Sequence, residues 1–526
     1  MKTNNLIRKE RWKMKLNNLY NFKNPIKHFF DIDSMILPDD ISSFELQKLC
    51  WSKPFNVRVK KQNDKYRTLK LPNILNFVAA YEHFKDLPNF NTIQQMDVLH
   101  KRLSANTDTG DFASGEYDRH LAEDFNRLCI YDYLLKMDIK EYYGRIYTHE
   151  IDFEGHQERF LSNMNQGATN GLIMGNYLSL FFAELNLKDI SNDIEKEIIE
   201  LGIDCEFSYF SDDFYFFCNK SEVEKIVGIF DNVLENYQLE RNDDKKELWT
   251  YESFNNYNIV ERYWKKVIAY CNLRISMDRE NNKLYFINQI IYRISKLFDE
   301  KQKKVFINNF FKTKYFRELD LELFQVKDYD YHQLCFIWKL SPESLLYSID
   351  KFSTMSEFDK ERVRKFFSIR YKEALKQPFH EEQLYYYYAI KNMNFSQILI
   401  ENKDAVLLSE NQLLISFYLK DGSFSECDIE KLKKYIGERY WFQNYHLILY
   451  TSDLRDNLED CINKYLIPEY AKRDLQKQTY VDFYKKNLEL NNSILRDISN
   501  VRTEIENYME LRIEEIEGRF EEDNDA

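Results

Sequence analysis

Short alternating runs of apolar and polar residues in the front half of the chain predict two β-hairpins. Val57 and Val59 precede a polar turn at 62–64 and Leu69 follows it, the pattern of two strands joined by a basic tip. Residues 205–219, CEFSYFSDDFYFFCN, have the composition of strands on both sides of a polar Ser-Asp-Asp centre. We therefore expect a second hairpin there.

Longer apolar patterns predict helices. Residues 170–187 indicate an apolar loop that runs into a helix. From residue 281 onward there are only three Gly and three Pro, and apolar residues recur at helical spacing. Two such stripes are Leu454, Leu458, Cys461, Ile462, Tyr465 and Leu466, and Ile494, Ile498, Val501, Ile505 and Tyr508. The second stripe is heptad-like but too short to predict a coiled coil.

The change in pattern predicts two domains. We expect an α+β domain over 1–280 and a large all-α, HEAT-like helical domain over 281–526 that ends in an acidic tail. No Pro-rich or Gly-rich linker separates them, so we expect the two domains to pack together.

Composition excludes several classes of protein. With 12 Gly and 8 Pro in 526 residues, a turn-dense all-β fold is excluded. The eight Cys form no CxxC pair and the nine His form no HxxH, which argues against a zinc site and a disulfide framework. The chain shows no signal peptide, and no apolar run reaches the roughly 18 residues of a membrane span. We expect a cytoplasmic protein with no membrane partner.

Charge is distributed unevenly along the chain. The net charge is −13, yet the first 85 residues carry +9 and the remainder −22. Local potential attracts phosphate even where the whole protein is acidic, so a basic front end is compatible with a nucleic-acid partner. A solvated basic surface explains the same charges equally well.

Adjacent carboxylates in an aromatic setting are the first candidate for chemistry. Asp212 and Asp213 lie inside the run FSYFSDDFYFF, whose other members favour burial. Two like charges there are costly unless a cation neutralises them, and carboxylate oxygens suit Mg²⁺. A polar turn between two buried strands is the alternative.

A third carboxylate strengthens the prediction of a metal site. Asp138 ends the apolar run at 134–137 and precedes IKEYY, the pattern of a strand that presents a carboxylate at its end. Two-metal phosphoryl transfer uses carboxylates from separate strands to hold ions roughly 3.5–4 Å apart. We expect two Mg²⁺ ions, with Mn²⁺ as a substitute.

Five segments, taken in order, resemble the motifs of reverse transcriptases. They are KYRTLKLP at 65–72, DIKEYY at 138–143, GLIMG at 171–175, FSDD at 210–213 and LERNDDK at 239–245. The first resembles the fingers motif of bacterial members, and the others resemble motifs A to D. The resemblance covers roughly residues 50–270 and implies reverse-transcriptase-like fingers and palm.

The resemblance also implies roles for individual residues. Asp138 and Asp212 match the principal metal ligands, with the Ile139 carbonyl and Asp213 as further ligands. Tyr143 matches the bulky residue that excludes a ribose 2′-hydroxyl, and its alternative is an ordinary core aromatic. Lys245 matches the lysine that protonates pyrophosphate, with a solvated loop lysine as the alternative. The other implied nucleotide-binding residues are Lys60, Lys65, Arg67, Gly175 and Ser179.

Departures from the motif pattern of reverse transcriptases indicate which subfamily the chain resembles. Ile173, Met174 and Asn176 replace the Gln and Pro usual around the motif B glycine, a stretch that braces the template. A palm followed by a long helical half resembles the abortive-infection (AbiK-type) reverse transcriptases of bacterial phage defence. That resemblance implies a homo-oligomer that polymerises deoxynucleoside triphosphates without a template and attaches the DNA product to a protein hydroxyl.

Two other functions stay open from the sequence. One is an RNA-templated, retron-like defence reverse transcriptase that works with a noncoding RNA. The other is a non-catalytic nucleic-acid-binding scaffold, against which the complete set of three carboxylates and Lys245 argues. Tyr20, which lies among four lysines, is a candidate primer, but packing of the leading helix explains it as well.

Overall fold

The computed structural model describes residues 15–525 except for 39–45, 62–63, 86, 88–98, 152–156, 260–284, 298 and 319–327. The expected domain boundary at 280 and two residues of the predicted turn at 62–64 lie outside the described residues. The described chain is mainly helical with a few small sheets, as an α+β protein with a large helical part.

The front half contains all eight strands of the described chain. The strands are β1 (Phe55–Lys60), β2 (Tyr66–Leu71), β3 (Ala105–Asn106), β4 (Asp111–Phe112), β5 (Tyr133–Asp138), β6 (Cys205–Phe210), β7 (Asp213–Cys218) and β8 (Glu247–Trp249). The helices are α1 (Leu16–Tyr20), α2 (Ile74–Lys85), α3 (Glu116–Leu128), α4 (Tyr142–Arg145), α5 (Arg159–Met164), α6 (Tyr177–Glu200) and α7 (Val223–Asn236).

Both predicted hairpins and the predicted strand before Asp138 are confirmed. β1 pairs with β2, and β6 pairs with β7, each antiparallel. The larger sheet has the order β6-β7-β5-β8, so the strand that ends in Asp138 lies beside the second hairpin. Phe214 and Phe216 alternate along β7 and pack on Phe230 of α7, which fixes the buried face of this sheet.

The second half is helical throughout its described part, as the spacing predicts. Its helices are α8 (Tyr285–Lys296), α9 (Glu300–Phe311), α10 (Lys314–Glu318), α11 (Asp328–Leu340), α12 (Ser344–Thr354), α13 (Glu361–Leu375), α14 (His380–Asn392), α15 (Ser396–Glu401), α16 (Lys403–Leu408), α17 (Gln412–Lys420), α18 (Glu426–Leu432), α19 (Trp441–Tyr450), α20 (Ser452–Arg455), α21 (Leu458–Tyr465), α22 (Asp474–Glu489) and α23 (Ile498–Asp525).

The two halves share one hydrophobic core, so the expectation that they pack together is confirmed. Phe55 of β1 stacks on Phe442 of α19 with ring centroids 4.5 Å apart. Asn73 donates a buried hydrogen bond to the Tyr484 hydroxyl at 2.6 Å. The outer edge of β1 is covered as well, because the Lys60 N–H donates to the Glu381 carboxylate of α14 at 2.8 Å.

The two apolar stripes face the core, with one break. The first stripe spans α20 and α21 rather than one helix, because Asn457 leaves the helical conformation between them (φ −127°, ψ 61°). In the second stripe Val501, Ile505 and Tyr508 are buried within this chain. The stripe therefore serves intramolecular packing.

Candidate active site

Two of the three predicted carboxylates face each other across neighbouring strands. Asp138 at the end of β5 is opposite Asp213 at the start of β7 in the antiparallel register. Directly opposed residues in such a pair have Cβ atoms about 4.5–5.5 Å apart. Asp138 is 2% exposed, so this carboxylate is held inside the protein at the edge of the sheet.

The third carboxylate lies in the tight turn between β6 and β7. Ser211 takes a left-handed conformation (φ 53°), which reverses the chain just before Asp212. The Asp212 carbonyl accepts a hydrogen bond from the Ile139 N–H at 3.0 Å. This backbone contact ties the turn to the residue after Asp138, so Asp138, Asp212 and Asp213 all lie at one end of the sheet.

Two polar side chains from the segment 239–245 hold Asp138. Asn242 Nδ2 donates to Asp138 Oδ1 at 2.8 Å, and Lys245 Nζ donates to Asp138 Oδ2 at 2.5 Å. The Lys245 side chain is 57% exposed, so its ammonium reaches the buried carboxylate from the solvent side. The structure thus brings Lys245 to the carboxylates as an accessible cation.

A second lysine partners the carboxylate across the sheet. Lys136 Nζ lies 3.4 Å from Asp213 Oδ2. Burial is the main cause that raises the pKa of the Asp213 carboxyl; Lys136 opposes it, and the charges of Asp212 and Asp138 add to it. The sequence reasoning missed Lys136 and Asn242, although both lie within or beside its motifs and strand alternation puts Lys136 on the face of Asp138.

Tyr143 lies beside the turn that carries Asp212. It is partly buried, and its hydroxyl is within hydrogen-bonding reach of Ser211. Burial is the main cause that raises the pKa of Tyr143, and the negative charge of Asp212 adds to it while Arg67 opposes it. The ring therefore adjoins the carboxylates.

The glycine loop before α6 is shaped by its own contacts. Gly175 has a φ of 127°, a conformation that favours glycine, and its carbonyl accepts the Phe22 N–H at 2.8 Å. Asn176 caps α6 by accepting the Ser179 N–H at 2.9 Å, which accounts for an asparagine at this position. Ser179 is 1% exposed, so the structure places its hydroxyl inside the protein.

The cations of the first hairpin divide into two groups. Lys60 Nζ lies 3.3 Å from Asp64 at the hairpin tip, 3.6 Å from Glu382 of the helical half and 4.7 Å from the ring centroid of Phe379. Lys65 and Arg67 are exposed. The structure therefore does not bring Lys60 to the carboxylates.

Lys61, which the sequence places at the basic tip without assigning it to the site, is within electrostatic range of Asp212 and Asp138. Lys61 is exposed. Desolvation by nearby protein atoms, followed by the positive charges of Arg67 and Lys245, lowers its pKa, and Asp212 and Asp138 oppose this shift. The only indication of Lys61 in the sequence is its position at the β1–β2 tip beside Lys60 and Lys65.

Tyr20 is wholly enclosed by protein. It is 0% exposed, its hydroxyl donates to the Pro72 carbonyl at 2.6 Å, and its ring packs edge-on against Phe77. The core-packing interpretation of Tyr20 is confirmed, and the structure offers no accessible primer hydroxyl at this position. The tyrosines at 385–388 are likewise buried in the core of the helical half.

Carboxylate oxygens are the ligands that a hard cation such as Mg²⁺ prefers. Over the described ranges, no three His, Cys, Asp or Glu side chains form a complete metal-binding group. Mg²⁺ in phosphoryl-transfer sites is usually held by one or two carboxylates together with substrate phosphates, so a full protein cage is not required. The cation that Asp138 already holds is Lys245, which shows that this position attracts positive charge.

Comparisons with known proteins give distant structural similarity. No protein-family model matches the chain, and no curated protein matches it. Telomerase from Candida albicans in complex with a telomeric RNA fragment is 12% identical, with 78% of this chain and 66% of that chain covered and a TM-score of 0.29. Apo telomerase from Candida tropicalis is 13% identical, with 67% and 66% covered and a TM-score of 0.28.

The chain spans just under two thirds of the length of these telomerase structures. Separately, none of the helices in the described part of the chain combines the length and apolar character needed to cross a membrane.

Proposed function

We propose that this chain is a reverse-transcriptase-type nucleotidyltransferase that polymerises deoxynucleoside triphosphates. The observation that carries the proposal is the opposition of Asp138 and Asp213 on neighbouring strands, with Asp212 in the adjoining turn and Lys245 on Asp138. Three carboxylates at one strand end would be costly to maintain without a cationic ligand.

Each side chain has a part in this reaction. Asp138 and Asp212 would hold Mg²⁺ or Mn²⁺, with the Ile139 carbonyl and Asp213 as further ligands. When bound, the metal activates the attacking hydroxyl and offsets the charge of the phosphates. Lys245, whose Nζ donates to Asp138 Oδ2 in this structure, would be placed to give a proton to the departing pyrophosphate.

Tyr143 would select the sugar of the incoming nucleotide, because its ring adjoins the Asp212 turn. Tyr143→Ala is expected to raise ribonucleotide incorporation relative to deoxynucleotide incorporation by at least about tenfold, since the cavity admits a 2′-hydroxyl. The ratio is measured with each nucleotide alone in single-turnover assays. Tyr143→Phe, which keeps the ring, should retain the selectivity of the wild type; an unchanged ratio in Tyr143→Ala would assign the ring to packing alone.

Arg67 would hold the triphosphate, because a guanidinium fork suits phosphate oxygens. Arg67→Ala is expected to lower kcat/KM for deoxynucleotides roughly 10- to 100-fold, the effect of a charged hydrogen bond of about 1.5–3 kcal/mol. The matched control is Arg58→Ala on the same hairpin, where the guanidinium pairs with Glu410 at 3.1 Å instead. Equal kinetics in the two variants would place Arg67 on a solvated surface.

We further propose that synthesis needs no template and that the DNA is joined to a protein hydroxyl in an AbiK-type defence enzyme acting as a homo-oligomer. Asn176 supports synthesis without a template, because both the oxygen and the nitrogen of its side-chain amide form hydrogen bonds within the glycine loop. Its Oδ1 accepts the Ser179 N–H and its Nδ2 donates to the Ile173 carbonyl. The loop that usually braces a template is thus engaged internally.

The test is incorporation of labelled deoxynucleotides by the purified chain with Mg²⁺. Label that stays with the protein on a denaturing gel and is released by DNase would support protein-attached synthesis. Incorporation that disappears after ribonuclease treatment would identify an RNA-templated enzyme. Failure to incorporate with either Mg²⁺ or Mn²⁺, by protein that is folded and binds DNA, would favour the scaffold.

A further inference from the structure

We propose that Lys23 binds a phosphate group of the substrate beside the three carboxylates, a role that no motif of the sequence assigns. The inference rests on the proposed function, because it takes the carboxylate end of the sheet as the place where polyanions bind. Lys23 lies in the segment that precedes the β1–β2 hairpin, the hairpin that resembles the fingers motif.

The backbone around Lys23 is fixed to two parts of the site. The Phe22 N–H donates to the Gly175 carbonyl at 2.8 Å, and the Lys23 N–H donates to the Gly110 carbonyl at 2.5 Å. Lys23 itself has a φ of 67°, which is unfavourable for a residue with a Cβ and persists only where the surroundings impose it. The direction of this side chain is therefore set by the fold.

The Lys23 ammonium lies beside the hairpin that bears the catalytic pair. Its Nζ is 4.9 Å from the ring centroid of Phe112 and 5.6 Å from that of Phe210. Phe210 ends β6 directly before Ser211 and Asp212, and it is opposite Asp213 in the register. The positive charge of Lys23 thus stands next to the turn that presents both carboxylates.

Asp111, the acid whose charge acts most on Lys23, is already engaged. Asp111 Oδ2 accepts hydrogen bonds from the Tyr508 hydroxyl and from Arg512, each at 3.0 Å. Asp111 Oδ1 accepts the Phe112 N–H at 2.8 Å. Across the described ranges, the contacts of Lys23 Nζ are to ring faces and not to an ion-pair partner.

The neighbouring Lys27 shows how a structural lysine differs. Lys27 is 2% exposed, and its Nζ donates to the carbonyls of Thr109 and Gly110 at 2.7 Å each. Lys23 is solvent-exposed although protein atoms crowd it, and this crowding is the main cause that lowers its pKa. Asp111 and Asp212 oppose this shift while Lys301 and Arg67 add to it, so Lys23 is within electrostatic range of Asp212.

The phosphate has two sources, the triphosphate of the nucleotide and the backbone of a DNA strand. Two measurements on Lys23→Met separate them: the affinity for dATP with Mg²⁺, and the affinity for single-stranded oligo-dT over a range of salt. Lys23→Arg is the conservative variant. Lys225→Met, which removes an exposed charge on α7 that pairs with Glu222 at 3.0 Å, is the control for net charge.

We expect Lys23→Met to lose about tenfold in one affinity, and Lys23→Arg to restore it. Weaker dATP binding identifies the triphosphate; a slope of log Kd against log salt that falls by about one identifies the strand. Behaviour like Lys225→Met in both assays, or losses that only follow a lower melting temperature, would overturn the proposal. Both assays measure binding, so they stand even if the wild type proves inactive as a polymerase.

Discussion

Asp212→Asn is expected to lower nucleotide incorporation by more than about 100-fold while leaving the melting temperature nearly unchanged. Even a hydrogen-bonding partner of a metal ligand is worth roughly 10- to 100-fold, so a ligand itself should exceed that range. The fold should survive because Asp212 contacts Ile139 through its backbone carbonyl, and the side chain is only partly buried. Incorporation of labelled deoxynucleotides and thermal unfolding are the two measurements.

The matched control for this variant is Asp244→Asn. Asp244 belongs to another Asp-Asp pair, at 243–244, and is exposed to solvent. Its removal changes the net charge by the same amount, so incorporation should stay near the wild-type level. Full activity of Asp212→Asn with Mg²⁺ present would contradict the assignment of this turn to the proposed active site.

Asp124→Asn is expected to cost about 3–5 kcal/mol of unfolding free energy. Arg102 lies over the Tyr215 ring at 3.7 Å and donates to Asp124 at 2.9 and 2.6 Å and to Ser208 at 2.8 Å. Both members of the pair are buried, with side chains 8% and 4% exposed. Neutralising Asp124 leaves a buried guanidinium without its counter-charge, which is the costly way to break such a pair.

Denaturant-induced unfolding of Asp124→Asn, compared with the wild type and with Asp244→Asn, measures this cost. Because Arg102 joins α3 to β6 and β7 through Ser208 and Tyr215, the variant should also loosen the hairpin of the active site. A loss of unfolding free energy below about 1 kcal/mol would mean that the Arg102–Asp124 pair stabilises the protein no more than an exposed salt bridge does.

Much of the candidate active site follows from local sequence pattern. The apolar run at 134–137 predicts the strand that ends in Asp138, and the aromatic run around Asp212 and Asp213 predicts a hairpin whose turn bears charge. Both features depend on neighbours a few residues away, which a sequence displays directly. The opposition of Asp138 and Asp213 needs the pairing register, and register is set by which faces are buried.

Long-range pairing explains what the sequence could not predict. Lys60 belongs to the basic tip by sequence, yet Glu382, more than 300 residues later, binds it. Lys15 is likewise paired with Glu504 at 3.2 Å, so acids of the helical half neutralise part of the basic front end. The environment of Tyr20 is likewise not predictable from the sequence. A tyrosine is found both in cores and on solvent-exposed surfaces, and only tertiary packing decides between them.

The local sequence places Lys23 among the four lysines around Tyr20, which could hold a polyanion, but does not single it out. Positive φ is usually marked by glycine or asparagine, and here a lysine adopts it because its N–H is held by the Gly110 carbonyl. Its position beside Phe210 also depends on contacts between segments far apart in sequence.

Anomalous diffraction from crystals grown with Mn²⁺ and a non-hydrolysable deoxynucleoside triphosphate would test the two-metal site most directly. We expect two ions about 3.5–4 Å apart, bound by Asp138 and Asp212 and bridged by the phosphates. Lys245 should then have moved from Asp138 toward the phosphates. A triphosphate bound with no ion at these carboxylates, or ions held only elsewhere on the chain, would contradict the assignment of this strand end as the polymerase centre.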